Sequence, residues 1–314
     1  MPAILDVQHL VKKYGDFTAV NDVSFSILDG EIFSLLGPNG AGKTTTISVL
    51  STLLQPTSGA AIIAGHSITK ETYTVRGLIG VVPQELALYD DLTARENLMF
   101  WGKMYGLSGK SLSTRIEEVL RQIGLADRGG DRVKTYSGGM KRRVNIGVGL
   151  LHRPRLLFMD EPTVGIDPQS RRAILDSVKE LNKQGMTVLY TTHYMEEAQE
   201  LSNRVGIIDH GQLIALGTQA ELTRQVGETD TLILHSDEFQ NCDALAARLK
   251  NIPTVKQVSI IDHAISIITP EAEDILAPVI SAANEINFKI RSVELQEPNL
   301  EAVFLHLTGR ALRD

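Results

Sequence analysis

The chain has 314 residues, 43% hydrophobic and 22% charged, enough apolar material for one large core and a smaller one and too much for a disordered chain. A net charge of −7 with no long basic run argues against nucleic acid as the main partner, because binding a phosphate backbone needs clustered Lys and Arg. The single cysteine, Cys242, excludes an internal disulfide and a cysteine metal site, suits a reducing compartment and reads as a packing residue.

In chain order, Met1 to Gln8 has neither the basic start nor the apolar stretch of a secretion signal. Nowhere do the roughly 20 apolar residues of a membrane-spanning helix occur together, so a soluble chain is expected. Residues 1–30 alternate in places, placing Val23, Phe25 and Ile27 on one face of an antiparallel strand. Glu31 to Leu36 then reads as a buried strand. It runs directly into Gly37-Pro38-Asn39-Gly40-Ala41-Gly42-Lys43-Thr44, which fits G-x-x-x-x-G-K-[ST]. The glycines let successive N–H groups point inward at an anion. Lys43 can reach β- and γ-phosphates, and the Thr44 hydroxyl suits Mg²⁺. The spacing predicts a helix from Thr45 to Leu54 whose positive end faces the phosphates. A chance glycine turn would not explain the strand before it and the helix after it. The motif predicts a bound nucleoside triphosphate.

Ala60 to Ala64 and Leu78 to Val82 suit further strands, after which residues 86–135 turn helical. Thr93-x-x-Glu96 is a capping box opening a helix from Ala94 to about Tyr105. Leu112 to Gly124 carries Ile116, Val119, Leu120 and Ile123 at helical spacing with a glycine stop. This region reads as a helical insertion between two halves of a nucleotide-binding core. Tyr136-Ser137-Gly138-Gly139-Met140 follows, opening a helix from Met140 to Leu151. Its glycine pair leaves the first amides bare and so makes a second anion site. Lys141-Arg142-Arg143 reads as a solvated helix face.

Leu156 to Met159 is an apolar strand ending in Asp160-Glu161. Two adjacent acids at a strand end point in different directions and take different tasks. Asp160 can hold Mg²⁺ through water, and Glu161 can reach an attacking water as general base, worth about 10²–10⁴ in rate. Arg171 to Lys183 reads as a helix, Thr187 to Thr191 as a strand of a doubly covered parallel sheet, and Val205 to Leu216 as a hairpin turning at His210-Gly211. Residues 1–224 form one domain on this reading. Residues 225–314 form a second, with strand and helix signals in the order β-α-β-β-α-β, the split ferredoxin-like unit, and a final amphipathic helix from Leu300 to Leu307.

With two phosphate sites in one chain, the sequence resembles the ATP-binding subunits of ABC transporters across roughly residues 1–220. The resemblance implies an α/β P-loop NTPase core with a parallel sheet, an N-terminal antiparallel β subdomain and a helical insertion, followed by the small α+β domain. It implies ATP and Mg²⁺, with Gly37 to Thr44 and Thr45 around the phosphates, Thr44, Gln84 and Asp160 at the metal, and Glu161 as general base. Gln84, in Val81-Val82-Pro83-Gln84, matches the Q-loop that senses Mg²⁺ or water and contacts the transmembrane subunit. Asp167 matches the D-loop of the dimer interface, His193 the switch histidine at the γ-phosphate, and Tyr14 the aromatic that stacks on adenine. Ser137, Gly138 and Gly139 would serve the ATP of a second copy.

The family's commonest signature is Leu-Ser-Gly-Gly-Gln, whereas this chain has Tyr136 and Met140 at its ends. That variant is similar to the branch of the daunorubicin-resistance type, which drives drug, polysaccharide or lipid exporters. The tail from Glu297 to Arg310 is similar to that branch's end. The resemblance therefore implies a homodimeric ATPase that powers integral-membrane permease subunits from the cytoplasmic face of the membrane. An ABC ATPase acting on ribosomes or DNA is the alternative. The former usually has two ATPase domains in one chain and the latter a long coiled coil, and this chain has neither. A P-loop kinase or GTPase is disfavoured by Glu161 and the Ser-Gly-Gly signature. Substrate, permease and the task of the C-terminal domain are not legible.

Overall fold

The computed structural model describes residues 2–226, 230–236, 242–261, 264–270, 272–296 and 299–308. Met1, Glu297, Pro298, Gly309 and Arg310, which enter the sequence readings above, lie outside these. The chain forms two compact units, one running to Thr218 and one beginning at Gln219.

The first unit opens with a long hairpin, β1 (Ala3–Tyr14) and β2 (Phe17–Leu28), in which Val7 faces Phe25 and Leu10 faces Val23. Val23, Phe25 and Ile27 are buried, as the alternation predicts. Next come β3 (Ile32–Leu36), buried at every position, and α1 (Lys43–Leu50). The helix stops four residues short of the expected Leu54. Thr52 adopts φ 64°, and the Leu53 and Leu54 amides both turn back to the Ser48 carbonyl, closing the helix end. β4 (Ser58–Ile63) and β5 (His66–Ser67) complete an antiparallel sheet of order β2-β1-β4-β5.

A short helix that the sequence reading missed, α2 (Thr72–Leu78), leads into β6 (Ile79–Val82). The insertion consists of α3 (Ala94–Met104), capped by both hydrogen bonds of the Thr93–Glu96 box, and α4 (Gly109–Gln122). Then follow α5 (Gly138–Leu150), β7 (Leu156–Asp160), α6 (Pro168–Lys183), β8 (Thr187–Thr192), α7 (Met195–Leu201), β9 (Arg204–Asp209) and β10 (Gln212–Gly217). The second sheet has the order β10-β9-β3-β8-β7-β6, parallel throughout except for the β9–β10 hairpin. His210 and Gly211 both have positive φ, the conformation that a two-residue hairpin turn requires.

Both faces of this sheet are covered, which explains its continuous apolar strands. Leu157, Met159, Val188 and Tyr190 pack toward the helical insertion and α6, while Leu156, Phe158 and Leu189 pack toward α1 and the antiparallel sheet. Phe33 of β3 stacks on Phe25 of β2 at 5.1 Å between ring centres, joining the two sheets.

The second unit begins with α8 (Gln219–Val226), which the sequence reading did not separate, and continues through β11 (Asp230–His235), α9 (Cys242–Leu249), β12 (Gln257–Ile261), β13 (Ala264–Thr269), α10 (Ala272–Glu285), β14 (Ser292–Gln296) and α11 (Leu300–Thr308). Its sheet is antiparallel in the order β12-β13-β11-β14, which is the ferredoxin-like arrangement that the element order predicts. The last strand starts at Ser292; before it Asn287 turns with φ 53° and Phe288 drops into the core beneath the helices. Cys242 is buried in that core, a packing residue as expected.

Candidate active site

Parallel strands present their carboxyl ends on one edge, where a crevice forms outside the sheet. Here the register aligns Leu36 with Thr192, Thr191 with Asp160 and Met159 with Val82, so the groups that follow β3, β8, β7 and β6 converge. The loop after β3 contributes its backbone with the Lys43 and Thr44 side chains, and the other three contribute side chains.

The Gly37–Thr44 loop wraps the start of α1. Gly42 has φ 102°, and a Cβ placed there would lie 2.4 Å from the Ala19 carbonyl oxygen, so only glycine fits. Lys43 is 3% exposed. Its ammonium donates to the carbonyls of Gly37 at 2.6 Å and Pro38 at 2.9 Å and lies 2.9 Å from Glu161 Oε1. A cleft of about 300 Å³ opens here, lined by Asn39 to Thr45 with Phe17, Ala19, Gln84 and Glu161.

Thr44 Oγ1 donates to Asp160 Oδ1 at 3.2 Å, and Thr191 Oγ1 donates to the same oxygen at 2.7 Å. Burial lifts the Asp160 carboxyl above the ordinary aspartate range, against the pull of these two bonds. A threonine hydroxyl, one carboxylate and the nearby Gln84 form a hard oxygen set, which fits Mg²⁺ bound mostly by phosphate and water. Among the described residues no cluster of three or more His, Cys, Asp or Glu forms an all-protein metal cage.

Glu161 has φ 43°, a left-handed conformation costly for a residue with a side chain and concentrated at functional sites. Its amide donates to Thr191 Oγ1 at 3.0 Å, which helps hold the turn. The carboxylate, 5% exposed with the residue, spans two partners: Lys43 through Oε1, and His193 Nδ1 through Oε2 at 3.1 Å. His193 packs in turn against the Tyr194 ring at 4.1 Å.

Gln84 is placed by a residue that the sequence reading assigned differently. Lys141-Arg142-Arg143 is not a solvated face. Arg142 is buried, and its guanidinium donates to the carbonyls of Pro83 at 2.8 Å and Gln84 at 2.7 Å. Lys141 pairs with Asp90, and Arg143 donates to the Ile123 and Gly124 carbonyls. The run ties α5 to the Gln84 loop and to the insertion, which a charge count alone could not reveal.

The remaining candidates lie apart from this cleft. Ser137 caps α5 by accepting from the Met140 amide, and Ser137 and Gly138 are exposed. Gly139 faces Ser170 so closely that a Cβ would meet the serine Cβ at 2.2 Å. Asp167 caps α6 by accepting from the Ser170 amide at 2.9 Å, a bond that holds its carboxyl below the usual range. The Ser-Gly-Gly loop and the Asp167 loop are therefore neighbours, while neither lines the cleft at Lys43. Tyr14 is 48% exposed with Lys12 over its ring, and it is not among the cleft's lining residues. Phe17, its cross-strand partner and 65% exposed, does line the cleft. Sequence reasoning passed over Phe17; the signal was a second aromatic three residues beyond Tyr14 at the hairpin tip.

Known proteins resemble this chain over most of its length. The ABC transporter family model matches residues 20–164. The chain is 49% identical to the linearmycin resistance ATP-binding protein of Bacillus subtilis, over 99% of this chain and 100% of that protein. It is 41% identical to a doxorubicin resistance ATP-binding protein of Mycobacterium tuberculosis, over 94% of this chain and 89% of that one. Among solved structures, an ATP-binding subunit of an ABC transporter is similar at 33% identity with a TM-score of 0.64, covering 71% of this chain and 93% of its own. A dimeric ATP-binding cassette bound to ADP and Pi is similar at 27% identity with a TM-score of 0.62, covering 68% of this chain and 98% of its own.

Proposed function

This chain belongs to the ABC transporter family as an ATP-binding, ATP-hydrolysing subunit of the exporter type, and on that premise we propose that two copies close head to tail around two ATP molecules. Each ATP would lie between one copy's P-loop and the other's Ser137-Gly138-Gly139. One observation carries this reading: Lys43, Gln84 and Glu161 surround one glycine-rich helix start, while the other stands beside Asp167 without them. Each copy thus offers a catalytic half and a bare anion-binding half.

Within a closed site the roles follow from position. The α1 amides and Lys43 hold the phosphates. A phosphate arriving at Lys43 competes with three oxygens already around it, so binding also frees Glu161. Glu161 then accepts a proton from the water that attacks the γ-phosphorus, ADP oxygen leaves, and His193 contacts the γ-phosphate while its ring is steadied by Glu161 and Tyr194. Thr44, Asp160 and Gln84 would hold Mg²⁺, which when bound neutralises charge on the phosphate oxygens. Phe17 and Tyr14 offer the base a stacking surface at the hairpin tip, a contact generally worth ~1–3 kcal/mol per base.

The motor would drive a separate permease from the cytoplasmic face of the membrane; among the described residues no helix is long and apolar enough to cross one. Tyr89 and Phe100, both exposed and packed edge to face at 4.9 Å, offer an apolar surface a few residues beyond Gln84, a fitting place for that partner. The relatives' names, which speak of resistance to linearmycin and doxorubicin and of Nod factor export, support an exported cargo of that kind. The decisive experiment mixes Ser137→Arg subunits with Lys43→Ala subunits. Each variant alone is inactive, and the mixture regains turnover through one intact composite site; a mixture as dead as its components defeats the head-to-tail reading.

A further inference from the structure

Glu197 of α7 belongs to none of the motifs above, yet it is 2% exposed and is the most heavily hydrogen-bonded carboxylate beside the site. Its Oε1 accepts from Thr163 Oγ1 at 2.6 Å, and its Oε2 accepts from Tyr190 OH at 3.0 Å and Thr192 Oγ1 at 2.8 Å. Thr163 lies two residues beyond Glu161, and Thr192 immediately precedes His193. The Tyr194 amide donates to Thr192 Oγ1 at 2.9 Å, so the same hydroxyl holds the backbone on the far side of the histidine. One buried carboxylate therefore fixes the two loops that carry the general base and the histidine.

A fourth partner comes from α6. Arg171 lies one turn beyond Asp167, with its guanidinium 4.2 Å over the Tyr194 ring and its Nε 3.6 Å from Glu197 Oε1. That separation is an ion pair but not a hydrogen bond, and the buried Nε makes none. A donor left this way beside a carboxylate is a strained arrangement that a small shift would relieve. A cleft of about 520 Å³ between α6 and α7, lined by Pro168, Arg171, Tyr194 and Glu197 among others, gives it room to move. An advance of roughly half an ångström would bring Nε into hydrogen-bonding range.

We propose that Glu197 is a positioning residue which, with Arg171, links the helix following Asp167 to the loop of His193, so that displacement of the Asp167 loop is felt at the histidine. The proposal rests on the roles given above to His193 and Asp167. Closure of a second copy against Asp167 moves the start of α6. Arg171 then engages Glu197 and Tyr194 more tightly, and His193 is held where it meets the γ-phosphate. ATP binding at the P-loop does not depend on this link, because neither Arg171 nor Glu197 lines that cleft.

The test measures kcat, KM and separately determined ATP affinity in the full-length protein. Arg171, about a third exposed, can be replaced without endangering the fold. Arg171→Ala is expected to lower kcat by about 3- to 30-fold while ATP affinity stays within about twofold, and Arg171→Lys should restore part of the loss. Glu197→Gln should behave like Arg171→Ala if it folds. In a His193→Ala background Arg171→Ala should cost nothing further, because the effect passes through the histidine. Wild-type kcat in Arg171→Ala, an equal loss in the His193→Ala background, or a loss of ATP affinity in place of kcat would overturn the link. Normal turnover in His193→Ala alone would instead remove the role given to the histidine, a distinct failure.

Discussion

The two glycine-rich helix starts of the first unit use the same physics and meet opposite surroundings. At α1 the loop is enclosed. Lys43 is buried against main-chain carbonyls, Glu161 faces it, and Gln84 and Phe17 close the rim. At α5 the loop is open, with Ser137 and Gly138 exposed and only Gly139 pressed against a neighbour, Ser170. Anion binding by helix amides needs just the bare N–H groups, and both loops have them. Catalysis needs a base, a cation and a means of excluding water, and one loop alone has these. The difference supports the proposal that the open loop completes the site of a second copy and is not a second centre.

The sharpest break of this contrast is Glu161→Gln. Turnover should fall by about 10²–10⁴ while ATP still binds and a nucleotide-dependent dimer accumulates on size exclusion; activity near wild type would leave the enclosed loop without its base. The next comparison exchanges glycines. Gly42→Ala forces a Cβ onto the Ala19 carbonyl in a left-handed conformation and should abolish ATP binding. Gly139→Ala overpacks against Ser170, at a cost of about 1–3 kcal/mol, and should lose turnover while one copy still binds ATP normally in a fluorescence titration. Equal effects on binding would erase the distinction between the loops.

A smaller effect is expected from Arg142→Ala, which strips the clamp from the Pro83 and Gln84 carbonyls. Unfolding in urea should report a loss of about 1–3 kcal/mol, and ATPase activity should fall as the Gln84 loop loosens. The smallest concerns the far end of α5, where His152 Nε2 donates to the Ile79 carbonyl at 2.7 Å and the ring stacks on Tyr105. Burial depresses the pKa of this ring below its unfolded value of about 6.5. The unfolded chain therefore takes up the proton first. The contribution of His152 is fully present above that pH and is lost as pH falls from there through the folded value. A thermal melt series in that acidic window should show a shallower slope in His152→Gln than in the parent.

The legible parts were those with local signatures. The P-loop, the Thr93–Glu96 box and the apolar run into Asp160-Glu161 each announce themselves within a few residues, and the β-α-β-β-α-β order emerges from successive short patterns. Features that arise only on folding were hidden. Arg142 reads as one of three surface cations until α5 packs on the Gln84 loop. Nothing in the sequence singles out Glu197, whose place is set only when Thr163, Tyr190 and Thr192 close around it. Phe17 and Tyr14 are indistinguishable as lone aromatics, and only the hairpin geometry puts the former on the cleft. The helices α2 and α7, each of seven residues, are too short for a periodic signal to stand out.

The His210-Gly211 turn has a consequence for how such a motor tolerates change. The Gly211 amide donates to the Ala41 carbonyl inside the P-loop at 3.0 Å, and the Gly211 carbonyl accepts from the Asn21 amide of β2 at 2.8 Å. The loop is thus braced by a relay of peptide groups running from one sheet to the other. Because these contacts join main-chain atoms, alanine replacement at 21 or 210 would pass over the brace altogether. Replacing the amide preceding Gly211 by an ester, which deletes one main-chain donor and leaves every side chain in place, is the change this scaffold has no way to absorb.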